Sequence, residues 1–386
     1  MMGSIFPWRS GNRFKLLIDG PQFFPAMIAA IDSANALVVL ELYLVEDGRC
    51  SDALITALVA AAARGVEVRC LFDGFGCLRL GRVSRLRLAE AGIELRLYNP
   101  VNWRRGVNNF FRDHRKLLVV DQRIAFVGGT GATDEFWVPD EEPSRWHEVL
   151  VSMEGAVVAH WQLLFDYQWL ACIGKRPWKP EEAPGLSHLP APPPLGQGMG
   201  RVAYADARQH RDIVQSLVRS VRHGKRRIWL ATPYFLPSWK VRRALLHAAR
   251  RGVDVRLLLS SRSTDHPPVR FAGQRYYPRL LRAGVRIFEY GPRFSHMKMV
   301  LVDDWVSVGS CNFDHWNLRF NLEANLEALD VDFTREVTEC LETDFAASRE
   351  ITLEHWKARP LGARILQRLW GWLDRVAVNL LERRRR

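Results

Sequence analysis

Two histidines, His114 and His296, each stand two residues before a lysine, Lys116 and Lys298, and seven before an aspartate, Asp121 and Asp303. Imidazole titrates near neutrality, so it can attack an electrophile or pass a proton to a leaving group. An ammonium beside it can neutralise charge that grows on phosphoryl oxygens. A single His–Lys pair would fit a solvated face equally well. Two pairs with one spacing, HxKxxxxD, are hard to reach by chance and point instead to a functional site. On strands of period two, each His and Lys would share a face, with Met297, Met299 and Leu301 turned away. Asp121 and Asp303 fall where the chain turns and are expected to tie structure or the lysine more than to react. No carboxylate cluster suits a divalent ion, so neither a metal nor a cofactor is expected.

The elements that must position these residues also repeat. Arg64-Gly65-Val66-Glu67-Val68-Arg69 recurs as Arg251-Gly252-Val253-Asp254-Val255-Arg256, and Ala91-Gly92-Ile93 recurs as Ala283-Gly284-Val285. Each half reads as an Ala-rich helix (Asp52–Ala63; Lys240–Arg250) that ends at a C-cap glycine, followed by a strand (Val66–Phe72; Val253–Leu259). A second helix (Arg82–Ala91; Gln274–Ala283), another strand, a loop and the HxK strand complete the half. Helices alternating with strands predict α/β lobes with covered sheets. The expected order is an N-terminal lobe over 1–173, a Pro-rich linker over 174–200 that includes Pro192-Pro193-Pro194, a C-terminal lobe over 201–358, and a basic amphipathic helix over 359–386.

The 386 residues carry 55 Lys and Arg against 42 Asp and Glu, a formal charge of 55 − 42 = +13. That balance predicts an anionic partner, and 48% apolar with 25% charged residues is a globular composition, not a disordered one. The six cysteines form no CxxC pair and read as reduced core thiols of a cytosolic protein. The N-terminal residues lack a signal-peptide pattern, and runs such as Leu54–Ala63 are about half the ~20 residues needed to span a bilayer. Membrane contact is therefore expected to be peripheral. No nucleic-acid module is discernible, so no nucleic-acid partner is expected.

The two motifs, the trailing Gly309-Ser310-Cys311-Asn312, and Pro233-Tyr234-Phe235, Arg251-Gly252-Val253 and Asn321-Leu322-Glu323 resemble the phospholipase D superfamily over nearly the whole chain. Within it the chain is most similar to bacterial cardiolipin synthases of the B type. The resemblance implies a duplicated, pseudo-twofold α/β fold, two lobes with mixed sheets sandwiched by helices and the active site between them. It implies a phosphatidyltransferase in which one histidine, His114 by analogy, attacks phosphorus and His296 protonates the leaving alcohol. The reaction implied joins two phosphatidylglycerol molecules into cardiolipin and releases glycerol, with phosphatidylethanolamine an alternative donor. A phospholipase D-type hydrolase, a nuclease and a non-catalytic lipid-binding protein are the alternatives.

By the same resemblance each histidine needs an orienting acid, Glu323 for His296 and Glu148, in Trp146-His147-Glu148, for His114. Ser310 and Asn312 support the second motif. The first has lost the family asparagine, since position 131 is Gly, and Thr130, Thr133 or backbone N–H groups are left to compensate. The second motif is one residue shorter between Asp303 and Gly309, which predicts a tighter hairpin.

Two segments suit an anionic bilayer, the substrate's setting at the cytoplasmic face of a bacterial inner membrane. Leu361–Arg386 has apolar residues Leu361, Ile365, Leu366, Leu369, Trp370, Leu373 and Val376 near helical spacing and a charge of 7 − 2 = +5. It reads equally as an interfacial anchor or as a helix packed on the core. Val101–Arg112 mixes Trp103, Phe110 and Phe111 with arginines near the first motif and reads as a rim among headgroups or as an ordinary loop.

Overall fold

The computed structural model describes residues 5–141, 144–174, 193–206, 212–261, 264–314 and 317–383. The Pro-rich segment expected at 174–200 therefore falls, over 175–192, outside the described residues, as do residues 384–386 of the basic tail.

In chain order the first strands are β1 (Arg9–Ile18), β2 (Leu37–Leu42), β3 (Glu67–Asp73), β4 (Glu94–Tyr98), β5 (Arg112–Asp113), β6 (Leu117–Val120), β7 (Ile124–Gly128), β8 (Trp146–His147), β9 (Val149–Glu154) and β10 (Gly198–Ala205). Then come β11 (Arg227–Thr232), β12 (Asp254–Ser260), β13 (Arg286–Tyr290), β14 (Phe294–Ser295) and β15 (Met299–Val302). The last are β16 (Trp305–Gly309), β17 (Asn321–Leu329) and β18 (Ser348–Ile351).

The chain forms two compact units. One holds Met1–Ile213, Asp304–Cys311 and Leu318–Val337; the other holds Val214–Asp303, Asn312–Asn317 and Thr338–Arg386. This division differs from the lobe boundary expected near residue 200. Strand pairing is the reason. β10 lies antiparallel to β1, β17 to β10 and β16 to β17, so three strands from Gly198 onward pack with the N-terminal ones.

In the first unit the sheet runs β16-β17-β10-β1-β9-β7-β6-β2-β3-β4. β2, β3 and β4 are parallel, as their connecting helices require, and β6 lies antiparallel on β2 with Val39 opposite Val119. Val38, Leu40 and Leu42 join Leu118 and Val120 under helices Gly20–Asp32 and Arg49–Ala63, which supply Phe23, Phe24, Ile31, Leu54 and Leu58. The alternate residues face the other way, where helix Val158–Ala171 buries Trp161, Leu164 and Phe165.

The second unit repeats this plan with order β18-β13-β12-β11-β15, β11 to β13 parallel and β15 antiparallel on β11. Gly65 and Gly252 end equivalent helices at φ 90° and 85°, and Val66 and Val253 N–H groups reach back to Ala61 and Ala248 carbonyls. These are the C-caps expected from the repeat. The single helix expected over Gln274–Ala283 is instead a 3₁₀ turn, Gln274–Tyr276, and a short helix, Tyr277–Arg282. Pro278 has no N–H to continue a helix through that point.

The motif aspartates have structural work. Asp121 accepts backbone N–H bonds from Asn35, Ala36 and Leu37, each at 2.9 Å. Asp303 does the same for Lys225, Arg226 and Arg227 at 2.9, 2.8 and 3.0 Å. Each ties the turn after a motif to the start of a neighbouring strand. Partial burial works to raise both carboxyls, but the backbone donors outweigh it and hold them below the usual range. A depressed folded value means the stabilisation is fully present above about pH 4 and is lost as pH falls through that value. Asp303→Asn is expected to cost about 1–2 kcal/mol at pH 7, with the gap to wild type closing in acid. Urea unfolding across pH checks this, and a gap that persists in acid counts against it. The first motif's extra turn residue, Gln122, is left-handed at φ 51°, beside Asp121 at 52°, whereas the second motif needs only Asp303 at 52°.

Candidate active site

The strand expected to carry each His–Lys pair is broken at that pair. β5 ends at Asp113 and β6 begins at Leu117; β14 ends at Ser295 and β15 begins at Met299. In the first unit the reason is a change of partner. Arg112 and Asp113 run parallel to Asn321 and Leu322 of β17, and the His114 N–H still bonds the Leu322 carbonyl at 3.0 Å. By Leu117 the chain has moved to β2, opposite Glu41. His114, Arg115 and Lys116 bridge the two alignments and are buried.

That crossing decides which carboxylate meets which histidine. His114 Nδ1 lies 3.0 Å from Glu323 Oε1 and 3.2 Å from Oε2. Glu323 was expected beside His296, and Glu148 beside His114; β5 instead lays the first motif directly against the strand that carries Glu323. The Glu323 carboxylate is wholly buried and also accepts a bond from Ser310 Oγ, whose hydroxyl takes the Ala324 N–H at 3.0 Å. A buried carboxylate needs such partners to offset its lost hydration.

Lys116 Nζ bonds the carbonyl of His114 and sits 5.2 Å from the Tyr43 ring centroid. The Tyr43 ring is itself 4.8 Å from that of His114. Burial, reinforced by the Asp73 carboxylate, pushes the Tyr43 hydroxyl up to about 12, so it stays a neutral phenol. Asp73 accepts the Asp113 N–H at 2.9 Å and faces Arg112 at 3.3 Å, which anchors the residues just before His114. Motif reading missed Tyr43 and Asp73. Their signal was positional: each stands at or just past the C-terminal end of a parallel strand.

Arg115, between His114 and Lys116, points away from them to Glu41 at 2.7 Å and Asp113 at 3.2 Å. Its counterpart Met297 is wholly buried. In the first motif an ion pair thus anchors the middle residue.

In the second unit His296 is 8% exposed and Lys298 0%. Lys298 Nζ lies 2.9 Å from His296 Nδ1 and, like Lys116, bonds the carbonyl of its own histidine. Ser260, at the position of Asp73, donates to the Ser295 carbonyl at 2.6 Å and anchors the approach to His296. Asn312 is buried in the same unit. Among the described residues no cluster of three or more His, Cys, Asp or Glu is arranged to hold a metal ion.

Glu148 is buried at the head of β9. It accepts the Val149 N–H at 3.0 Å and lies over Gly129, where an added Cβ would come within 2.1 Å of Oε2. Gly131, which stands where the family has Asn, is hemmed in by chain. A Cβ there would lie 2.8 Å from the Leu44 carbonyl oxygen, and the Ala132 N–H already bonds that oxygen. A side chain at position 131 would therefore require Leu44 to move. Thr130 Oγ1 is turned to the Gly131 carbonyl at 3.0 Å.

With this geometry in hand, comparison with known proteins is specific. A sequence profile described as "Cardiolipin synthase, PLD-like domain" matches residues 27–169 and again 217–345. Cardiolipin synthase A of Pseudomonas putida (strain W619) is 36% identical over 353 residues, 90% of this chain and 71% of that protein. Cardiolipin synthase B of Salmonella typhimurium is 35% identical over 341 residues, 87% of this chain and 81% of that one. Both types match at nearly the same identity. The crystal structure of phosphatidylserine synthase from Haemophilus influenzae Rd KW20 superposes with a TM-score of 0.74 at 15% identity, covering 97% of this chain and 96% of that one, which establishes the shared fold. Duplicated motifs, duplicated topology and two matching profile segments agree: the chain belongs to the phospholipase D-like cardiolipin synthase family.

Proposed function

We propose that the chain is a cardiolipin synthase that works through a phosphohistidine. The observation that carries this is the Glu323 carboxylate on His114 Nδ1. It holds the ring proton on Nδ1 and so puts the reactive lone pair on Nε2. Nε2 attacks the phosphorus of one phosphatidylglycerol. The P–O bond to the glycerol headgroup breaks, and that oxygen leaves with a proton from His296. The terminal hydroxyl of a second phosphatidylglycerol then gives its proton back to His296 and attacks phosphorus. The N–P bond breaks, and cardiolipin is released. Lys116 and Lys298 offset charge on the phosphoryl oxygens. Tyr43 closes one side of His114 with a neutral ring. Glu148 belongs to the same machinery as a supporting carboxylate.

Purified protein given phosphatidylglycerol vesicles is expected to yield cardiolipin and glycerol in equal amounts. Phosphatidic acid as the main product would replace the transferase by a hydrolase, and no turnover would leave a lipid-binding protein. Adding phosphatidylethanolamine and measuring released ethanolamine tests the alternative donor.

The substrate implies a membrane, and we propose peripheral attachment to the cytoplasmic face of a bacterial inner membrane through anionic lipid. No described helix is long and apolar enough to cross a membrane. Helix Leu361–Arg383 docks through Gly371, whose carbonyl accepts from Arg275 at 2.7 Å, and leaves Leu361, Ile365, Leu366, Leu369, Trp372 and Leu373 exposed. Trp372 rather than Trp370 is the exposed ring. At about 100° per residue these exposed positions share the face turned away from Gly371, which favours the interfacial anchor over a core-packed helix. Two 3₁₀ turns within Trp103–Phe110, joined by a kink at Gly106, expose Trp103, Val107 and Phe110 beside Arg104 and Arg105 and are braced by Asn99, Asn102 and Asn109. Deleting 361–386 is expected to weaken binding to anionic liposomes at least tenfold, the scale of burying two or more apolar side chains. Sedimentation with phosphatidylglycerol vesicles measures it, and unchanged binding would remove the helix as an anchor.

A further inference from the structure

Asp19 carries three irregularities at once. Its backbone sits at φ 64°, ψ 161°, a region open to glycine and strained for any residue with a Cβ. It is the N-cap of helix Gly20–Asp32, yet its carboxylate makes no cap hydrogen bond, the usual employment of an aspartate there. Instead the carboxylate is turned back onto the strand that leads into β9. Oδ1 accepts the Glu148 N–H at 3.1 Å and lies 2.8 Å from His147 Nδ1. The Asp19 N–H donates to the Glu148 carbonyl at 2.9 Å. Glu148 is thus gripped on both of its backbone polar groups by one residue.

The neighbouring glycine leaves no slack. A Cβ at Gly20 would lie 2.1 Å from the Phe136 carbonyl oxygen, and the Gly20 N–H is held by Ser144 Oγ at 3.1 Å.

The other half of the chain shows what this replaces. Glu323 pairs across the ladder with Ala205 and is held through its side chain by Ser310. The residue equivalent to Ser310 is Gly129, which has no hydroxyl to offer Glu148. We infer that Asp19 is a positioning residue for Glu148, a backbone clamp that takes over in the first half the task Ser310 performs in the second. The inference rests on Glu148 belonging to the catalytic machinery, so its test includes a variant of Glu148 itself.

Four proteins are compared on phosphatidylglycerol vesicles, each with a thermal melt: wild type, Asp19→Gly, Asp19→Asn and Glu148→Gln. Asp19→Gly relieves the strained backbone while removing the clamp. It is expected to melt no lower than wild type, to lose at least tenfold in kcat and to keep its KM. Asp19→Asn retains an oxygen that accepts the Glu148 N–H, and is expected to recover turnover to within about threefold of wild type, a small loss beside the effect of misplacing a catalytic group. Wild-type turnover in Asp19→Gly, a melt several degrees lower, or an Asn variant as impaired as the Gly variant each overturns the positioning role. Full activity in Glu148→Gln overturns the underlying assignment of Glu148, and is separable because it appears without any change at Asp19.

Discussion

His114→Ala will release no glycerol from phosphatidylglycerol vesicles above the rate without protein, a loss of at least ~10⁴-fold. The size follows from the chemistry. Without the imidazole no N–P bond can form, and the remaining groups stabilise a transition state that cannot be reached through a covalent route. The fold should survive, because His114 sits in the irregular stretch between β5 and β6 and contributes its backbone, not its ring, to the ladder through the Leu322 carbonyl. Labelled phosphatidylglycerol, quenched in alkali to preserve an N–P bond, should mark His114 in wild type. In His296→Ala the phosphoenzyme is expected to build up, if slowly, and not to turn over. Label found on His296 would reverse the two roles, and full activity in His114→Ala would end the phosphohistidine mechanism.

Glu323→Gln should lower kcat by about 10⁴-fold with little change in KM, the scale seen when an orienting carboxylate in a histidine-based site becomes its amide. The carboxylate, 3.0 Å from Nδ1, accepts the Nδ1–H hydrogen bond of His114 in the proposed mechanism and balances the charge the ring gains. An amide can present its NH₂ to Nδ1 instead, which moves the ring proton to Nε2, the nitrogen that must attack. Stability should change little, since Gln fills the same buried space without a charge. Glu323→Ala is different. It strips Ser310 Oγ and His114 Nδ1 of a partner inside the first unit and is expected to cost about 2–4 kcal/mol. Denaturant midpoints and steady-state rates on the same preparations separate the two effects. A Gln variant with wild-type kcat would show that Glu323 only packs.

These two variants probe a histidine that motif reading singled out and a carboxylate that it set beside the other histidine. The repeat exposed the histidines, the lysines and the turn aspartates, because each half must build the same strand–helix units and a fixed spacing survives in the chain as text. The C-cap glycines Gly65 and Gly252 were legible for the same local reason. Local pattern failed at Gln274–Ala283, where Pro278 interrupts the helix, and at the HxK stretches, where the expected strands are broken and the first bridges two strand alignments. Tyr43 and Asp73 carry no motif and became visible only once parallel strands brought their ends to His114.

By itself the sequence determined the candidate reactive groups, their duplication, the α/β class and the family. Tertiary structure alone decided the partner of each group. The pairing of His114 with Glu323 spans 209 positions and depends on two residues of β5 lying beside β17. A hydrogen bond between strands is a property of register and pairing, and residues so far apart leave no periodic trace of which strand their neighbour will be.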